Sequence, residues 1–165
     1  MLRWFRRRRS VPAADFGRVA PWLLVGPALD PRGYHALAKL GVTHVLDLRS
    51  EASDDPDVMR SLGLAWARVP IDDRRAPTQG QLAQINTWLD EADEQPVVYV
   101  HCEGGLGRSP TIAIALLMQR GFTRAEAHRF MLAARSVASP TSDQDAWLGT
   151  LDEELQAAEA DEDSR

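Results

Sequence analysis

Apolar positions along this chain recur with two periods, and the changes between them mark out its elements. Residues 18–20 and 22–25 read as two short strands separated by Pro21. Asp30 followed by Pro31 opens a helix, because the carboxylate caps free N–H groups and proline fits the first turn. Tyr34, Leu37, Ala38 and Leu40 keep helical spacing until Gly41 stops it. Residues 43–48 form an apolar strand, 53–57 an acidic loop, and 58–62 a short helix closed by Gly63. Residues 64–69 alternate like a strand. Thr78 with Gln81 matches a capping box for a helix through Glu94, whose apolar face is Leu82, Ile85 and Leu89. Residues 96–100 are almost continuously apolar, the pattern of a strand buried on both faces. Residues 111–118 are apolar all round, as in a helix at the centre of a domain. Gly121 ends it, Thr123 with Glu126 caps another helix to about Arg135, and a turn at 139–142 precedes a last helix over 143–155. The alternation predicts an α/β fold, a central and mainly parallel sheet flanked by helices.

The junction between the strand at 96–100 and the central helix carries the chemistry. It reads His101, Cys102, Glu103, Gly104, Gly105, Leu106, Gly107, Arg108, Ser109. The glycines let the backbone curl and turn its N–H groups inward. The helix N-terminus that follows adds further donors and the positive end of a dipole. A thiol there ionises more readily, since the same donors stabilise the thiolate. The pattern predicts a cysteine nucleophile in an anion cradle, with the planar fork of Arg108 gripping the anion.

Cys102 through Arg108 fit a C-x5-R signature. With His101 before it and Ser109 after it, the stretch resembles the dual-specificity branch of the cysteine-dependent protein tyrosine phosphatases. The resemblance is strongest over residues 66–132 and extends over 19–151. It implies a phosphomonoester hydrolase acting through a phosphocysteine, with the main-chain N–H groups of Glu103, Gly104, Gly105, Leu106, Gly107 and Arg108 binding phosphate. It implies for Ser109 a hydroxyl that stabilises the departing thiolate, and for His101 a supporting role that organises the loop. The general acid is expected on the loop after the strand at 64–69, where Asp72 and Asp73 both face the same sheet edge. In the resembling phosphatases the acid follows a pattern like Pro-Ile-x-Asp, which favours Asp73. Gln144 weakly matches a glutamine that positions water in some relatives. Arg49, at the end of its strand, stands either near the site or in a salt bridge to Glu51 or Asp54.

Composition narrows the partners. The chain has 165 residues, a net charge of −5 and one cysteine. It therefore forms no internal disulfide and no multi-cysteine zinc site. The same fact leaves oxidised Cys102 without a second cysteine to protect it, and fits a cytoplasmic, reducing setting. His35, His44 and His128 lack ligand-like spacing, so no metal is implied. The loop lacks the lysine of a nucleotide-binding G-x-x-x-x-G-K-[ST] motif, and no cofactor is expected. Net acidity speaks against nucleic acid as a partner. The expected partner is a phosphorylated protein or a small phosphomonoester, with a phospholipid monophosphate as the alternative and a non-catalytic phosphate-binding module as a second class. Arg6, Arg7, Arg8 and Arg9, beside Trp4 and Phe5, suit weak contact with an anionic membrane, a solvated tail being the plainer reading. The expected layout is a basic tail at 1–14, one catalytic domain at 15–155, and an acidic tail at 156–165.

Overall fold

The strands β1 (Gly17–Ala20), β2 (Leu23–Gly26), β3 (His44–Arg49), β4 (Ala65–Ile71) and β5 (Val98–His101) form one sheet in the order β1-β2-β5-β3-β4. This is a computed structural model, and it describes residues 15–164; the arginines at positions 6 to 9 lie outside the described residues. β1 runs antiparallel to β2, and the other neighbouring pairs are parallel. The helices are α1 (Pro31–Lys39), α2 (Pro56–Ser61), α3 (Gln79–Asp90), α4 (Arg108–Met118), α5 (Arg124–Ala134) and α6 (Ser142–Glu162). The predicted sheet flanked by helices is the architecture found.

Strand residues alternate between two cores, as the pleat requires. Leu23, Val25, Leu46, Leu48, Val98 and Val100 pack with α3, α4, α5 and α6, while Leu24, Val45 and Tyr99 pack with α1 and α2. Both faces of β2, β3 and β5 are therefore dry, which explains their continuous apolar runs. α4 is buried along its whole length, from Arg108 to Met118. Its first turn stands at the carboxyl edge of the sheet, where Gly26 and Asp47 both pair with His101.

Local capping fixes most helix starts. The Asp30 carboxylate accepts from the Gly33 N–H at 2.8 Å, and capping boxes form at Thr78 and Thr123. A third box, between Thr141 and Gln144, starts α6 slightly earlier than expected.

Two helix ends differ from expectation. α3 stops at Asp90, not Glu94. Asp90, Glu91, Asp93 and Glu94 oppose the negative end of the helix dipole, and Pro96 disfavours helix at the residue before it. α6 runs to Glu162, so the boundary expected at 155 falls inside it and most of the expected acidic tail is helical. Ala157, Ala158 and Ala160 are strong helix formers, and the buried Leu151 anchors the helix behind them.

Ile112 is fully buried in α4. Truncating it to alanine is expected to lower stability by roughly 2–5 kcal/mol, read as a lower urea midpoint at unchanged slope.

Candidate active site

The loop between β5 and α4 is shaped by where its carbonyls go. Cys102 O accepts from His101 Nδ1 (3.1 Å) and Glu103 O from Ala28 N (3.1 Å). Gly104 O and Gly105 O accept from the Arg135 guanidinium (3.0 and 2.8 Å). Leu106 O accepts from Ser139 N (2.7 Å), and Gly107 O from Thr111 N and Oγ1 (3.0 and 2.7 Å). In a trans peptide the C=O and the next N–H point in opposite directions. Anchoring these six carbonyls leaves the N–H groups of residues 103–108 on the other side. Gly105 has φ 65°, and a Cβ there would come within 2.4 Å of the Gly26 backbone, so only glycine fits.

Cys102, the only cysteine, is free and buried. Its Sγ lies 3.4 Å from Ser109 Oγ. Burial pushes the thiol up, but the Ser109 hydroxyl, the N–H groups of Ser109 and Gly105, and the Arg108 charge outweigh it. The net effect holds Cys102 below the ordinary thiol value.

Arg108 is held in place from the far side. Glu51 accepts from its Nη1 and Nη2 at 2.7 and 2.6 Å, and Ile71 O accepts from Nη1 at 2.9 Å. The Arg108 guanidinium pulls the Glu51 carboxyl down to about 2, so this pair persists over any ordinary assay range. Asp73 Oδ1 lies 3.3 Å from Arg108 Nη2. Asp73 and Arg74, but not Asp72, line a cleft of about 460 Å³ whose other walls include Cys102, Leu106, Arg108 and Gln144. A larger groove of about 570 Å³ lies between α5 and α6, away from Cys102.

Behind the loop is a buried polar cluster. His101 Nε2 lies 2.6 Å from Asp54 Oδ2 and 3.1 Å from the Tyr34 hydroxyl, which donates to Asp54 Oδ1 at 2.8 Å. Both His101 nitrogens thus face acceptors, one a carboxylate and one a carbonyl, so the ring is held in register with Cys102. Burial raises the Asp54 carboxyl, but His101, Tyr34 and Arg49 together hold it below its ordinary value. Arg49 satisfies one of the expected salt bridges, to Asp54 at 3.0 Å, and not the one to Glu51; it also pairs with Asp47 and reaches Glu103 of the loop. Asp47, Asp54 and His101 bring their ligand atoms together as a metal site would, but the Arg49 guanidinium already serves as their cation.

Of the residues expected to act together, Cys102, Arg108 and Asp73 line one cleft, and Ser109 is buried behind it against the Cys102 sulfur. Gln144 is buried beside them, its Oε1 accepting from Thr141 N at 2.9 Å. Glu51, Asp54, Tyr34 and Arg135 were not singled out as functional in the sequence. Each acts across tens of residues and leaves no local pattern. Thr141, three residues before Gln144, could have been read as a capping box.

A thiol poised in an amide cradle with a clamped arginine, at the carboxyl edge of a mainly parallel sheet, defines the cysteine-phosphatase class. The family model described as "Swiss Army Knife protein, DSP-PTPase phosphatase domain" matches residues 26–162, and the chain belongs to that family. It is 32% identical over 141 residues to rat dual specificity protein phosphatase 5, covering 78% of this chain and 34% of the relative. It is 30% identical over 139 residues to human dual specificity protein phosphatase 8, covering 79% of this chain and 21% of the relative. The chain thus spans about a third or less of the length of these relatives. A crystal structure of Tk-PTP in the active form superposes with a TM-score of 0.74 at 29% identity, covering 84% of this chain and 97% of that one. The resemblance drawn from the Cys102 motif is borne out.

Three outcomes are expected. Asp54→Ala leaves Arg49, His101 and Tyr34 facing an emptied buried site, and should cost roughly 3–5 kcal/mol in denaturant titration. Because the Asp54 carboxyl is depressed in the folded state, its contribution is complete above 3.8 and is lost as pH falls through its lower folded value. The acid-induced loss of stability should therefore be shallower in Asp54→Ala. Ser109→Ala removes a donor to the thiolate, so the pH midpoint for alkylation of Cys102 by iodoacetamide should move upward.

Proposed function

We propose that this chain hydrolyses phosphomonoesters by way of a phosphocysteine. The reading is carried by one observation, that Cys102, Arg108 and Asp73 line the same cleft, with Asp73 Oδ1 3.3 Å from Arg108 Nη2. The thiolate attacks phosphorus, and the bond from phosphorus to the ester oxygen breaks. The electron pair goes to that oxygen, and Asp73 in its acid form supplies the proton. N–H groups of residues 103–108 and the Arg108 fork hold the three remaining oxygens. Water, giving its proton to the Asp73 carboxylate, then attacks the phosphocysteine. The phosphorus–sulfur bond breaks, inorganic phosphate leaves, and the Ser109 hydroxyl donates to the returning thiolate.

The substrate we favour carries a single phosphate, on protein tyrosine, serine or threonine. The names of the relatives support a protein substrate. The acidic groups at the site, Glu51, Asp73 and Glu103, disfavour a second phosphate beside the first. A small-molecule or phospholipid monophosphate is the alternative, for which Leu106, about half exposed at the cleft wall, provides an apolar contact.

The test is a panel of phosphotyrosine and phosphoserine peptides, phosphatidylglycerol phosphate and inositol phosphates. Cys102→Ser should abolish turnover. Asp73→Ala should lower kcat on the order of 10²–10⁴-fold for alkyl phosphates and much less for p-nitrophenyl phosphate. A larger loss in Asp72→Ala than in Asp73→Ala would sink the acid assignment. A preference for polyphosphorylated inositol lipids would sink the monophosphate reading.

A further inference from the structure

The segment at 72–77, which carries Asp73, is bonded along its backbone to one turn of α6. Thr141 Oγ1 donates to Arg74 O at 3.0 Å. Gln144 Nε2 donates to Arg75 O at 3.0 Å. Asp143 Oδ2 accepts from Ala76 N at 3.0 Å. Three successive residues of the segment are thus each held by a side chain from the start of α6. Between Asp73 and these bonds the chain makes a turn that most residues resist. Arg74 has φ 63°, and it is the positive-φ residue other than glycine among the described residues. A left-handed arginine persists only where its surroundings over-determine it. The bond on its own carbonyl and those on the next two residues supply that constraint.

Gln144 also touches the nucleophile loop. A Cβ on Gly107 would come within 2.9 Å of Gln144 Oε1. The same buried side chain therefore packs on the Cys102 loop and bonds the Asp73 segment, and so fixes the spacing between them. Asp143 takes no part in the capping box, which uses Thr141 and Gln144, and it does not line the cleft.

We propose that the first turn of α6 is the positioning element of the general acid. Thr141, Asp143 and Gln144 latch the 72–77 backbone, keep Arg74 left-handed, and so aim Asp73 at Arg108 and the ester oxygen. The proposal rests on reading Asp73 as the acid. Without the latch, Arg74 relaxes to negative φ and carries Asp73 away from the cleft. Protonation of the leaving oxygen is then slowed to an extent that depends on the leaving group, while hydrolysis of the phosphocysteine, which also uses Asp73, is slowed alike for every substrate.

Asp143→Ala is the cleanest probe, since it removes one latch bond and leaves the capping box intact. Asp143→Asn keeps an oxygen for Ala76 N and serves as the rescue. Thr141→Val with Thr141→Ser is the second pair, and melting curves establish that each variant is folded. The substrates are phenyl or alkyl phosphate, with poor leaving groups, and p-nitrophenyl phosphate, with a good one. Asp143→Ala is expected to lose about tenfold in kcat/KM, which reports only the steps through phosphocysteine formation, on the poor leaving groups and less than about twofold on p-nitrophenyl phosphate. Asp143→Asn should restore the loss. In an Asp73→Asn background Asp143→Ala should add nothing, because the group being aimed is gone. Equal losses on both substrates, or losses that multiply with Asp73→Asn, would overturn the latch and leave only helix capping. If Asp73→Asn itself leaves the leaving-group dependence unchanged, the acid reading fails and the latch falls with it.

Discussion

Six consecutive carbonyls turned outward, from Cys102 to Gly107, are the constraint on which the site depends. A buried C=O without a partner is costly, so a loop can present its N–H groups inward only if the opposite side is fully bonded. His101 and Thr111 are local partners, and the others come from distant places in the chain: Ala28 after β2, Arg135 at the end of α5, and Ser139 before α6. Arg135 is the most extreme case. It is buried, bonds two loop carbonyls, and pairs with Asp15 on its other edge. The cradle is thus a property of the whole fold, although its motif is only a few residues long.

The charges follow the same logic of fixing direction first. Arg108 is nearly inaccessible, and a buried guanidinium left alone would be expensive. Glu51 offsets that cost and, with Ile71 O, takes three of the five N–H donors of the fork. The remaining donors are left for Asp73 or an incoming anion, so Arg108 is oriented without being used up. Arg49 is treated likewise one layer back, among Asp47, Asp54 and Glu103. Its contact with Glu103 ties that buried cluster to the loop.

What the sequence disclosed follows from the range of each interaction. The strand alternation, the central helix and the caps at Asp30, Thr78 and Thr123 are set by neighbours within four residues, and the pattern carries them. The Cys102 loop was legible for the same reason, since strand, glycines, arginine and helix lie in one short stretch. Helix ends were less so. α3 stops where carboxylates meet the dipole, and α6 continues through a run in which alanine propensity outweighs acidic charge. Glu51 and Asp54 looked alike from sequence, two carboxylates near Arg49. The strand edge assigns them to different arginines, which only packing could decide.

α6 illustrates how local and distant roles combine in one motif. A capping box is ordinarily a helix device, closing two free N–H groups at the first turn. Here the Thr141 hydroxyl also donates to Arg74 O, and the Gln144 amide also donates to Arg75 O. Each side chain has donors and acceptors left after capping, and the fold brings the 72–77 backbone within their reach. A helix whose start is fixed by its own cap is a rigid place from which to hold a strained segment. Its buried Leu148 and Leu151 transmit that rigidity to the core around α4. Cys102 and Asp73, 29 residues apart in the chain, are thereby referred to the same packed scaffold.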